Sequence, residues 1–172
     1  MNADYEPMHA LCRFFLSNSG PTHERGDRSM LPFLVNMSRL FELFVSEWLK
    51  GHLPDVISLV PQERAYLDKT SGLYFDIDLV LRDTSTGEIL CVLDTKYKDA
   101  TTPATDDVAQ IVAYAEKIGC QEAILVYPRD LPRPFEARVG DIRVRSLPFS
   151  LDRDVDEVGH QLMRTVLGEA SV

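Results

Sequence analysis

The chain has 172 residues, 45% of them apolar and 26% charged, which is enough for one domain with a real core. A net charge of -9 excludes a protein that coats nucleic acid by bulk electrostatics, but leaves local phosphate contacts open where metal ions neutralise acidic groups. No window approaches the roughly 18 apolar residues that cross a bilayer, and Met1 to Glu6 lack the basic start of a signal peptide, so no membrane association is expected.

Cys12, Cys91 and Cys120 are widely spaced, form no CxxC, and read as reduced core residues of a cytoplasmic protein. Met8, Leu11, Cys12, Phe15 and Leu16 predict an amphipathic helix over 4–17, and the breaker-rich stretch 18–29 is an exposed loop carrying a solvated His23. From Phe33 to Lys50 the stripe Met37, Leu40, Phe41, Phe44, Val45 and Trp48 predicts a helix closed by Gly51. Glu42 falls about 130° from the centre of that stripe and reads as solvated.

A first strand is expected over 55–60, continuing irregularly to Leu67. Leu73 to Leu81 and Leu90 to Lys98, joined by the turn-rich 83–87, predict an antiparallel hairpin. After a loop over 97–104, Thr105 is expected to cap a helix running to Gly119, with Asp106 and Asp107 in its first turn. Ala123 to Tyr127 reads as a central strand, 128–141 as a proline-rich loop, and Ile142 to Leu147 as a last strand with a basic face formed by Arg143 and Arg145. Val155, Val158, Leu162 and Val166 point inward from a closing helix over 152–167.

Within this order the second hairpin strand ends in Asp94-Thr95-Lys96. An acid and an amine at the end of a buried strand are desolvated for no packing gain, which points to function. Alternation puts Asp94 and Lys96 on one face, and Asp76 or Asp78 across the hairpin from Asp94. Phosphodiester hydrolysis needs a cation to polarise the phosphoryl oxygens and activate a water, and positive charge for the transition state. Two carboxylates and the Thr95 carbonyl suit Mg²⁺, and Lys96 is placed to orient or deprotonate the water or to stabilise charge. Asp76 and Asp78 share a face, so alternation does not choose between them. Asp107, Gln110 and Tyr114 share one flank of the following helix, facing either the acidic hairpin end or water.

Asp78, then Asp94-Thr95-Lys96, in this order of strands and helices resembles the PD-(D/E)XK nuclease superfamily. More narrowly, the blocks from Met37 to Val45, Leu93 to Lys98 and Asp107 to Ala115 resemble the nuclease domain of McrC, the cleaving subunit of McrBC-type, modification-dependent restriction systems. The resemblance spans roughly Phe33 to Pro128, with Ile77 where a proline usually precedes the first metal aspartate.

The resemblance implies an α/β, restriction-endonuclease-like core of order α-β-β-β-α-β, a mixed sheet flanked by helices. It divides the chain into an N-terminal helix and loop (1–32), the nuclease core (33–128) and a strand and helix completing the same domain (129–172). It implies a Mg²⁺-dependent DNA endonuclease, Mn²⁺ being a substitute, with Asp78 and Asp94 as ligands and Lys96 as the catalytic lysine. Glu42 becomes a candidate outer metal or water contact, against its periodicity. Gln110, Tyr114 and Lys98 become supporting or nucleic-acid-binding side chains. The implied partners are DNA and a GTP-hydrolysing AAA+ motor like McrB, and a homodimer is expected for double-strand cleavage. The alternative is a nuclease-like subunit that binds DNA or the motor without cutting.

Overall fold

A computed structural model describes residues 35–68 and 70–168. The helix and loop expected over 4–29, with Cys12 and His23, lie outside the described residues. The elements from Asn36 onward are α1 (Met37–His52), β1 (Ile57–Asp68), β2 (Leu73–Asp83), β3 (Ile89–Thr95), α2 (Thr105–Ile118), β4 (Glu122–Tyr127), β5 (Glu136–Val139), β6 (Ile142–Pro148) and α3 (Val155–Leu167). One six-stranded sheet has the order β1-β2-β3-β4-β6-β5. The pairs β1–β2, β2–β3 and β5–β6 are antiparallel, whereas β3–β4 and β4–β6 are parallel, so the sheet is mixed.

Strand alternation sends each face of the sheet to a different helix layer. Val80, Val92, Leu125 and Val144 pack with Ile111, Tyr114 and Ala115 of α2. Leu79, Leu81, Leu93, Ile124 and Val126 pack with Phe41, Val45, Trp48 and Leu49 of α1 and with Leu162 and Met163 of α3. The central strand β4 is apolar on both faces because both are covered, as its continuous apolar run predicts. Cys91 and Cys120 are free thiols in this core.

Several local expectations differ. Gly51 does not end α1, which runs to His52 and is capped by Leu53 just before Pro54. Its buried stripe is Phe41, Val45, Trp48 and Leu49, while Met37, Leu40 and Phe44 stay exposed. The true stripe is therefore rotated toward Glu42, which sits about 75° from its centre at 100° per residue. The first strand starts at Ile57 and its continuation past Val60, expected to be irregular, is paired strand to Asp68, because β1 lies at a sheet edge where Pro61 removes no necessary bond and Gln62 absorbs the irregularity at φ 50. At α2 the N-cap is Ala104, not Thr105, and Asp107 Oδ2 accepts from the Ala104 backbone N–H at 3.3 Å. β5, hidden by neighbouring prolines in a stretch read as loop, forms a hairpin with β6 around Gly140 at φ 60. Arg143 and Arg145 are not a free basic face: Arg143 pairs with Glu136 and Glu122, and Arg145 with Glu122 and the Thr165 carbonyl.

Candidate active site

The site begins where β2 and β3 part. Their register pairs Leu79 with Leu93 and Val80 with Val92, which places Asp78 opposite Asp94 one step further on. Both acids share the α2 face with Val80 and Val92. There the ladder gives way to side-chain bonding. Asp78 Oδ2 accepts from the Thr95 backbone N–H at 2.8 Å and from Thr95 Oγ1 at 3.0 Å. Asp78 Oδ1 takes no hydrogen bond among the described residues and is left for another donor or a cation. Asp76 instead forms an ion pair with Arg64 at 3.3 Å, both largely in solvent, so geometry favours Asp78 for the upstream position.

Asp94 is 2% exposed. The Lys96 amine lies 2.5 Å from its Oδ2, yet out of line for a good hydrogen bond, so among the described residues that buried oxygen has a charge partner without an aligned donor. Burial first, and then the negative charge of Asp78, push the Asp94 carboxyl up to about 7, with Lys96 pulling the other way. Burial also works against the charged Lys96 amine. Asp94, Asp107 and Asp78 outweigh it and hold the group above the ordinary lysine value.

Helix α2 supplies the third wall. Lys96 Nζ donates to Gln110 Oε1 at 2.8 Å, and Gln110 Nε2 donates to Tyr114 Oη at 2.5 Å. Asp107, 8% exposed, binds Lys98 Nζ and stands 3.8 Å from Lys96 Nζ. The shared flank of Asp107, Gln110 and Tyr114 thus faces the acidic end of the hairpin, as one of its two readings required.

Glu42 is held apart from this cluster. Its carboxylate, 13% exposed, pairs with Arg39 and accepts from Gln62 Nε2 at 3.3 Å. That differs from the solvated reading, because the rotated stripe tucks the side chain against β1. Gln62 occupies the β1 position opposite Asp78, since Pro61 pairs with Leu79 and Glu63 with Ile77. Glu42 therefore approaches the site one side chain removed. Ile77, in place of the expected proline, is fully buried and contributes only packing.

Sequence reasoning missed Tyr127. It is fully buried at the end of β4, and among the described residues its hydroxyl has no aligned partner although it lies toward Asp107. Burial, and then the charges of Asp107 and Asp94, drive its pKa upward. The only signal was parallel alignment: Val126 pairs with Thr95, which brings the next residue under the acids.

The family model of the McrBC 5-methylcytosine restriction system component matches residues 1–128. The chain belongs to this family. Among curated proteins, none matches the chain. A solved structure similar to this McrBC family member is a chain of the refined half-complex from the tetradecameric assembly of Thermococcus gammatolerans McrB AAA+ hexamers with bound McrC. It aligns with TM-score 0.64 at 19% identity, over 78% of this chain and 34% of that one. The McrBC family member thus spans about a third of that chain's length, and at this identity the likeness establishes the fold, a restriction-endonuclease-like α/β core.

The donor set fits a hard divalent cation. Among the described residues Asp78 has a spare oxygen, Asp94 has a buried oxygen with no aligned donor, and the acids exceed the lysines beside them. Among the described residues no group of three or more His, Cys, Asp and Glu side chains gathers as a metal cage. Mg²⁺ needs only one or two carboxylates and retains several waters.

Proposed function

We propose that this chain is a Mg²⁺-dependent DNA endonuclease of a McrBC-type, modification-dependent restriction system. One observation carries the reading: Asp78 and Asp94 oppose each other at the rim of the sheet with the Lys96 amine 2.5 Å from Asp94. Asp78, Asp94 and the Thr95 carbonyl would hold the cation. When bound, Mg²⁺ polarises a phosphoryl oxygen and lowers the pKa of a coordinated water. Lys96, kept charged by three acids and steered by Gln110, is suited to orient that water and stabilise developing negative charge, more than to act as a base. Tyr114 fixes the Gln110 amide, Lys98 is braced by Asp107, and Glu42 acts from outside through Gln62.

The similar structure's pairing of McrC with McrB AAA+ hexamers supports a GTP-hydrolysing, McrB-like partner. Double-strand cleavage needs two such sites, which a homodimer would provide. The second reading, a nuclease-like subunit that binds DNA or the motor without cutting, is favoured by the small number of carboxylates. Calorimetric titration with Mg²⁺ and Mn²⁺ separates the two. A site lost in both Asp78→Asn and Asp94→Asn supports cleavage, and no such site supports the second reading.

A further inference from the structure

The loops after β3, β4 and β6 lie at the carboxyl ends of three parallel strands, the edge where α/β sheets commonly take ligands. They are tied together by Arg133 N–H donating to the Thr101 carbonyl at 2.9 Å and by Leu151 N–H donating to the Pro128 carbonyl at 3.1 Å. Between them is a groove of about 640 Å³ lined by Tyr97, Lys98, Asp99, Arg129, Leu151 and Asp152. It starts one residue beyond Lys96. Tyr97 follows Asp94 by three residues, and since extended chain advances at most about 3.6 Å per residue, the near end of the groove lies within about 11 Å of that carboxylate's backbone.

The lining has the chemistry of a nucleotide seat. Tyr97 offers an exposed ring braced from behind by Phe41 at 5.9 Å, and exposed Leu151 extends the apolar surface. Lys98 is bound to Asp107, which leaves Arg129 as the available cation. Its nearest acid, Asp99 at 3.5 Å, is 84% exposed, so the pair is screened by water and readily exchanged for a phosphate. An aromatic plate beside an exposed guanidinium suits stacking of one base and contact with one phosphate. Asp99 and Asp152 leave the lining without net positive charge, which suits amino groups on a base edge better than a second phosphate.

We propose that this groove seats the nucleotide of the cleaved strand next to the scissile phosphate, with its base on Tyr97 and its phosphate at Arg129. The assignment rests on the nuclease reading above. The test is fluorescence anisotropy of a labelled DNA oligonucleotide with the full chain, Ca²⁺ replacing Mg²⁺, alongside cleavage in Mg²⁺. Arg129→Ala should weaken binding by about three- to tenfold and flatten the salt dependence by about one phosphate contact. Tyr97→Leu, which keeps an apolar contact for Phe41, should weaken it by about fivefold or more. Arg138→Ala, the same charge change on the exposed edge strand β5, should leave affinity unchanged. Wild-type affinity in both groove variants, or an equal loss in Arg138→Ala, overturns the groove while wild-type cleavage keeps the nuclease reading. A wild-type chain that neither binds nor cuts DNA overturns both.

Discussion

Asp94 is a carboxylate held nearly dry at the rim of a sheet, and its environment sets the sign of two effects. With the carboxyl pushed up to about 7, the folded chain keeps a proton that the unfolded chain has already released at the ordinary value of 3.8. Stability from this group is present below that value and is lost as pH rises through about 7. In metal-free buffer the wild-type melting temperature should therefore fall from pH 4 to pH 8 relative to Asp94→Asn, measured by differential scanning calorimetry. A parallel pair of curves would contradict the assignment. Lys96 acts on the other side of the charge balance. Lys96→Met should lower kcat for DNA cleavage by about 10² to 10³ while calorimetric Mg²⁺ binding persists, because a charge donor is lost and the carboxylates stay.

Among the elements, α1 and α3 meet closely around Trp48. Trp48 Nε1 donates to Asp156 Oδ1 at 2.8 Å, and a methyl group on Gly159 would stand 2.3 Å from the Trp48 indole. Gly159→Ala should cost about 1–3 kcal/mol in urea unfolding, with cleavage kept under native conditions, because the contact lies in the helix layer opposite the acids. The hairpin β2–β3, α2 and β4 were legible because each carries a clear apolar period between turn signals. The rotation of the α1 stripe was not, since Leu40 and Phe44 match the period as well as Leu49 does and only the sheet decides which side it covers. Nor did alternation separate Asp76 from Asp78. Thr95 and Arg64, each distant in sequence, divide them in space. Pro61 and the prolines around β5 argued against strands that edge positions tolerate.

At the scale of the molecule, the parallel pairing of β3, β4 and β6 gathers the acids, the lysines and the groove at one edge, while α2 closes the site from one face. The McrBC family match covers 1–128, and β5, β6 and α3 beyond it extend the sheet and cover its other face. Mg²⁺ should raise the melting temperature at pH 8, where Asp94 is ionised, more than at pH 5, and Asp78→Asn should abolish that gain, as followed by thermal shift. The decisive measurement is cleavage of modified and unmodified plasmid DNA by the purified chain in Mg²⁺, alone and with a McrB-like GTPase. Wild type should cut and Asp94→Ala should not, while both give the same circular-dichroism spectrum. Cutting by Asp94→Ala at the wild-type rate would contradict the assignment of this carboxylate as a metal ligand.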